Sequence, residues 1–286
     1  MPELRAYQIF PEGPRSLRTK AQTADEWTRQ APQGFYTTFR TLAGGTKVLG
    51  LKSHLARLYV PAEAQAIQPD VKEDELRDAL SRLTAQNAPG ESRVRLVLSA
   101  TDSPGAVFAL IEPFQPPADT VYRNGVNVVT MPLERVTPRL KSTEFIGRSK
   151  TAREMVHGDV YEVLLVRSGR ILEGMTSNFF YVKDGMVGTA HRDILLGVTR
   201  RTVLRVVRRR GIGVTYRPLK QEQVPVVSEA FITSSSRGIV PVVKIDDMSV
   251  GEGQPGPITQ QLMEAYQAYV LRAAEKLSSS TKSGQG

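Results

Sequence analysis

Ile171-Leu172-Glu173-Gly174-Met175-Thr176-Ser177-Asn178-Phe179-Phe180 lies between two strand-like runs, Tyr161 to Val166 and Phe179 to Val182. Two apolar residues precede Glu173, so its carboxylate is expected in a largely buried place. A buried carboxylate is costly unless a cation or several donors meet it. Gly174 allows a backbone or a ligand to come close. Thr176, Ser177 and Asn178 add three short polar side chains in a row. Two readings are open. The stretch is a strand-to-strand turn with an exposed Glu, or it presents a carboxylate to the ring nitrogen of a bound heterocycle while the polar cluster holds the ring's substituents.

Upstream, Arg167-Ser168-Gly169-Arg170 turns the chain, so that Tyr161–Val166 and the run from Ile171 form a hairpin delivering Glu173. Before it, Leu140-Lys141-Ser142-Thr143-Glu144-Phe145-Ile146 leads into a predicted helix over 147–156, and Pro138 favours an extended or turning backbone just ahead of Lys141. A Lys before a helix is most often a surface Lys. In a chain with a buried-carboxylate motif it is also a candidate Schiff-base amine, because burial or a nearby cation makes the free amine available. Lys150 is the near rival and falls inside the helix with no motif around it.

Downstream, Ile194-Leu195-Leu196-Gly197-Val198-Thr199-Arg200 opens a helix. A Gly followed by a helix start leaves free backbone N–H groups that suit a phosphate, although a plain loop-to-helix junction has the same pattern. The strand-like Ala230-Phe231-Ile232 runs into Thr233-Ser234-Ser235-Ser236-Arg237, a row of hydroxyls that is either a polar turn or a second set of phosphate donors.

At the N-terminal end, residues 34–51 look like a hairpin turning at Ala43-Gly44-Gly45, with Tyr36, Thr38 and Arg40 on one face of its first strand. Ser53 is a plausible N-cap for a helix carrying Arg57, and Pro61 should kink or end that helix. A second helix is predicted over 72–86, a strand over 93–98, and a terminal helix over 258–277. Trp27, the sole Trp, is expected to be packed.

With 286 residues the chain is long enough for one large domain or two smaller ones. It contains no Cys, which excludes disulfides, thiolate metal sites and a Cys nucleophile. His54, His157 and His191 are its only histidines, and none form a pair at metal-ligand spacing, so no metal is expected. No apolar run approaches transmembrane length and the N-terminal stretch lacks a signal-peptide core, so a cytoplasmic protein without a membrane partner is the expectation. The net charge of +9 raises nucleic-acid binding. The arginine run over 200–210 nevertheless has the amphipathic spacing of a helix with a solvated face, and no nucleic-acid fold signature accompanies it, so no nucleic-acid partner is assigned.

Taken in order, these motifs resemble the class IV aminotransferases, the fold-type IV enzymes that use pyridoxal 5'-phosphate (PLP). Glu173-Gly174 with Ser177-Asn178 and Phe180 resembles the family's Glu-Gly-x-x-Ser-Asn-x-Phe. His54 to Leu58 resembles its His-x-x-Arg-Leu, and Leu195 to Arg200 its Leu-x-Gly-Ile-Thr-Arg. Lys141-Ser142 resembles the PLP lysine segment of D-amino acid aminotransferases, with Glu144 where relatives have Asn and Phe145 where many have Tyr. The resemblance covers roughly 34–275 and implies a two-domain α/β (α+β) fold with a small N-terminal and a larger C-terminal domain. It implies Lys141 as the catalytic amine and Glu173 at the pyridine nitrogen, with Ser177, Asn178 and Leu195 around the ring. For the phosphate it implies Arg57, Val198, Thr199, Ser234 and Ser235.

For the substrate it implies Tyr36, Thr38 and Arg40, and Arg95 where related enzymes carry a cationic or polar pocket residue. An exposed edge charge is the equal alternative for Arg95. Amino donors and 2-oxo acids are the implied partners, in a homodimer. Branched-chain or other apolar amino acids suit the motifs best. Gly34-Phe35-Tyr36-Thr37-Thr38-Phe39-Arg40 also resembles aminodeoxychorismate lyases, which keeps that activity as an alternative beside D-amino acids and R-amines. D-amino acid aminotransferases carry an Arg-x-His carboxylate trap where this chain has Gly105 and Val107.

Glu112-Pro113-Phe114-Gln115-Pro116-Pro117-Ala118 reads as a linker. The expected division is an N-terminal α/β domain over 1–112, a linker over 113–120, a PLP-binding domain over 121–277, and a disordered polar tail over 278–286.

Overall fold

The computed structural model describes residues 4–278. The expected tail lies outside them except for Ser278. Two compact units divide within the Pro-rich stretch, after Gln115. Leu140–Gly147 and the residues from Leu271 group with the first unit, and 116–139 and 148–270 form the second. A single cut at 113–120 therefore does not describe the grouping, because the chain visits the first unit three times.

The first unit is built on an antiparallel sheet whose strands lie in the order Gly13–Leu17, Arg5–Phe10, Val107–Pro113, Ser92–Ser99, Gly34–Arg40. Alternate residues of a strand point to opposite faces. Accordingly Phe35, Phe39, Leu96 and Leu98 enter one apolar cluster while Tyr36 and Val97 enter another. Helices Leu51–Ala64 and Glu73–Ala85 cover the first face. They do so with Leu51, Leu55, Leu58 and Ala62, and with Leu76, Ala79, Leu80 and Leu83, at the helical spacing that makes one stripe. Trp27, from helix Ala24–Gln30, covers the other face with Ile146.

Several local expectations change. Strand Gly34–Arg40 does not fold back on Lys47–Leu49, which pairs instead with Ala274–Lys276; only Leu42 and Lys47 bridge. The turn closes on that bridge, with Leu42 N donating to Lys47 O at 2.7 Å and Lys47 N to Leu42 O at 3.1 Å, and strand Gly34–Arg40 pairs with Ser92–Ser99 instead. Gly50, in the left-handed region, replaces Ser53 as N-cap. Pro61 does not end its helix, which runs on to Ala64. The helix expected over 147–156 is two short ones, Glu144–Arg148 and Lys150–Glu154. The terminal helix stops at Ala273 and the chain continues as strand.

The second unit carries a ten-stranded sheet among the described residues. The order along its main path is Val214–Thr215, Met186–Gly188, Asn178–Lys183, Glu229–Ser234, Gly238–Ile245, Val126–Pro132, Val160–Arg167, Arg170–Gly174, Leu219–Lys220. The hairpin predicted to deliver Glu173 is present, with Leu165 opposite Glu173. Helix Val198–Arg209 buries Val203, Leu204, Val206 and Val207 and exposes Arg201, Arg205, Arg208 and Arg209, the solvated face read from the sequence. Arg200 departs from that face. It is buried, donates to Ala190 O at 2.8 Å, and has its guanidinium pKa lowered, first by burial.

Candidate active site

The candidate residues fall on both units. In the first, Lys141 sits on the outer edge of strand Gly34–Arg40. Tyr36 N donates to Lys141 O at 2.8 Å, and Thr143 N donates to Gly34 O at 3.0 Å. Gly34 N donates to Thr143 Oγ1 at 3.0 Å, and a Cβ on Gly34 would meet Leu98 O at 2.0 Å. The strand is thus pressed between two neighbours, and the Lys141 segment is held in register by main chain. The Lys141 Nζ lies 4.5 Å from the centroid of the buried Tyr36 ring. Phe145 and Ile146, just beyond, are buried.

Tyr36, Thr38 and Arg40 share the strand face expected of them, with Thr38 opposite Arg95. Arg95 is only 6% exposed, so it is no solvated edge charge. Its Nε donates to Thr38 Oγ1 at 3.0 Å, its Nη1 donates to Asp25 Oδ1 at 2.5 Å and to Thr28 Oγ1 at 2.9 Å, and it lies over the Tyr36 ring. Arg40 faces Glu91 at 3.8 Å and covers Phe114. Arg57 is half-buried in the helix Leu51–Ala64. That helix is tied to the sheet by His54 Nδ1 and Thr37 Oγ1 at 2.7 Å.

In the second unit Glu173 is 2% exposed, which removes the exposed-turn reading. Arg135 Nε donates to its Oε1 at 2.9 Å, Asn178 Nδ2 donates to its Oε2 at 3.3 Å, and Leu195 N reaches both oxygens at 3.1–3.2 Å. These are the cation and donors a buried ionised carboxylate needs. Asn178 serves two segments: Nδ2 donates to Leu195 O at 2.7 Å, and Gly197 N donates to Asn178 Oδ1 at 3.2 Å. A Cβ on Gly197 would come 2.2 Å from that same Oδ1, so the close approach requires glycine.

Gly197 begins the helix Val198–Arg209 with no side-chain cap, so the first-turn amides at Val198 and Thr199 are available to an anion. Thr199 Oγ1 and Ser235 Oγ stand 3.3 Å apart. Ser234 Oγ accepts from Arg237 Nε at 3.0 Å. The Ser177 Oγ is buried and has no hydrogen-bond partner among the described residues. An uncapped helix start, paired hydroxyls and an orphaned hydroxyl beside a buried carboxylate are a donor set that fits a phosphorylated heterocycle with a protonated ring nitrogen.

Sequence reasoning missed Arg135, Glu162 and Arg237. A buried Glu demands a cation, but with 38 Lys and Arg in the chain nothing in sequence order points to Arg135. Glu162 stands in the strand Val160–Arg167 and is 1% exposed. A lone Glu in an otherwise apolar run was the available signal. No group of His, Asp or Glu among the described residues forms a metal site.

Residues 34–245 match the family Amino-transferase class IV. A probable branched-chain-amino-acid aminotransferase of Thermotoga maritima is 31% identical over 84% of this chain and 87% of its own. D-alanine aminotransferase of Bacillus licheniformis is 28% identical over 86% of this chain and 91% of its own. The crystal structure of the T.th. branched-chain amino acid aminotransferase with pyridoxamine 5'-phosphate has the same fold. It gives a TM-score of 0.79 at 19% identity and covers 96% of this chain and 98% of its own.

Proposed function

Because the chain belongs to the class IV aminotransferases, and is a transaminase that uses PLP, we propose that it moves the amino group of a branched-chain or other apolar L-amino acid to a 2-oxo acid. One observation carries the choice of donor. Gly105 has φ +95°, and a Cβ there would meet Gln68 O at 2.1 Å, while Val107 is fully buried in the core. Position 105 therefore has no room for a side chain and position 107 carries a buried apolar one, so neither furnishes a D-amino acid carboxylate trap. The two arginines on and opposite this strand face are also paired: Arg95 with Asp25 and Arg40 with Glu91. A strand face of an aromatic ring and neutralised cations suits an apolar substrate side chain.

When bound, PLP supplies an electron sink for the substrate carbon that loses its proton. Lys141 takes that proton on Nζ and returns it. Glu173, kept charged by Arg135, Asn178 and the Leu195 amide, is the counter-charge for the ring nitrogen, with Ser177 and Leu195 beside the ring. Arg57, the Val198 and Thr199 amides, the Thr199 hydroxyl, Ser234 and Ser235 take the phosphate. Tyr36, Thr38 and Arg40 face the substrate. Arg95 holds Tyr36 and Thr38 in place.

The same reading makes the working enzyme a cytoplasmic homodimer; among the described residues no helix is long and apolar enough to cross a membrane. Sedimentation equilibrium tests the dimer. The donor is tested by steady-state rates with L-leucine and with D-alanine, each against 2-oxoglutarate. L-leucine is expected to turn over much faster. A preference for D-alanine, or release of pyruvate from aminodeoxychorismate with no transamination, overturns the assignment.

A further inference from the structure

A second charge network, anchored on the buried Glu162, lies one strand away from Glu173, and none of the roles above uses the Arg237 guanidinium. Asn178 and Thr233 are directly opposite on neighbouring strands, so the turn Gly174–Asn178 and the loop after Ser234 sit at the same end of the sheet. Arg237 joins them. Its Nε donates to Ser234 Oγ at 3.0 Å. Its Nη2 donates to Glu162 Oε2 at 2.9 Å and to Thr176 Oγ1 at 2.7 Å, and Thr176 Oγ1 itself donates to Glu162 Oε2 at 2.6 Å. The guanidinium also lies over the Tyr161 ring, and Tyr122 OH donates to the Arg237 carbonyl at 2.9 Å. Burial alone would lower the Arg237 pKa; the Glu162 carboxylate and Tyr161 more than offset this, and it is held above its ordinary value. Both ends of this residue are therefore fixed.

We propose that Arg237 is a positioning residue for the cofactor phosphate: by clamping Ser234 to Glu162 and Thr176 it fixes the loop that sets Ser235 against Thr199. It does not itself touch the phosphate. The planar fork matters, because its Nε serves one hydroxyl while its Nη2 serves a carboxylate and a second hydroxyl. A Lys ammonium keeps the charge for Glu162 and loses the second arm. The inference rests on the PLP reading proposed above and specifies how its phosphate site is kept in shape.

The experiment is a titration of the cofactor-stripped protein with PLP and, separately, with pyridoxal, which has the same ring and no phosphate. Wild type, Arg237→Lys, Arg237→Gln and Thr176→Val are compared by absorbance. For Arg237→Gln the dissociation constant for PLP is expected to rise about tenfold, the equivalent of one charged hydrogen bond. Arg237→Lys and Thr176→Val should show smaller rises, and the dissociation constant for pyridoxal should not change. Equal weakening toward both ligands would mean a general structural role, and unchanged PLP affinity in all three variants would mean no role; either overturns the proposal. If Arg237→Gln does not fold, the comparison of the other two variants decides. Wild type that binds neither ligand would overturn the PLP reading, and this inference with it.

Discussion

Arg135 donates from Nε to Oε1 of Glu173 across 2.9 Å, and both side chains are almost wholly buried. Removing one partner of such a pair leaves the other charge uncompensated. Arg135→Met is therefore expected to cost about 3–5 kcal/mol in urea denaturation, while Arg135→Met with Glu173→Gln costs less than the single change. A single variant as stable as wild type would show that the pair is not what keeps Glu173 buried.

Gly197→Ala should act locally. The new Cβ would lie 2.2 Å from Asn178 Oδ1, so the amide that clamps Leu195 and Gly197 must move. The expected outcome is a stability loss of about 1–3 kcal/mol, together with weaker PLP binding. Both are measurable on the same sample by denaturation and by absorbance titration, and retention of wild-type cofactor affinity would count against the helix start as a phosphate site.

How much of this is legible in the sequence depends on how local the determinant is. The Glu173 hairpin and the amphipathic helix after Gly197 can be read from residues close in sequence, and both are present. The partners of strand Gly34–Arg40 cannot. They are Ser92–Ser99 and, through main-chain bonds, Lys141 and Thr143, which lie far along the chain. The same limit hides Arg135 and Arg237, whose partners Glu173 and Glu162 are met only in the fold, whereas Glu162 leaves a local trace as a lone Glu in an apolar run. Ser53 suits a cap by its residue type, yet Gly50 takes the place by adopting a left-handed backbone. Pro61 suits a helix end, and no local feature explains why the helix continues through it.

Asp25 is the carboxylate that neutralises Arg95, at 2.5 Å, and the Arg95 guanidinium lies over the Tyr36 ring. Asp25→Ala strips a buried guanidinium of its counter-charge. A loss of about 2–3 kcal/mol is expected, with a change in KM for the amino donor because Tyr36 and Thr38 are held by Arg95. If the donor kinetics of Asp25→Ala match wild type, Arg95 does not organise the substrate face.

Glu91 gives a pH prediction. Burial raises its carboxyl pKa above the ordinary value, and Arg40 only partly opposes this. A carboxyl raised in the folded state binds its proton more tightly there than when unfolded, so its contribution to stability is present at low pH and lost as pH rises through the folded value. Glu91→Gln should therefore have a higher Tm than wild type at neutral pH and the same Tm at pH about 3, below both values. A variant that is less stable at neutral pH would mean that the ion pair with Arg40 dominates.

The central claim is that Lys141 is the amine that works on an amino acid through PLP. Visible spectra of the purified protein, first with PLP and then with L-leucine followed by 2-oxoglutarate, test it most directly when Lys141→Ala is run alongside. The account predicts a yellow wild type whose band bleaches with L-leucine and returns with 2-oxoglutarate, and a folded Lys141→Ala protein that does not cycle. A wild type that stays colourless with PLP, or a Lys141→Ala variant that cycles as wild type does, would contradict it.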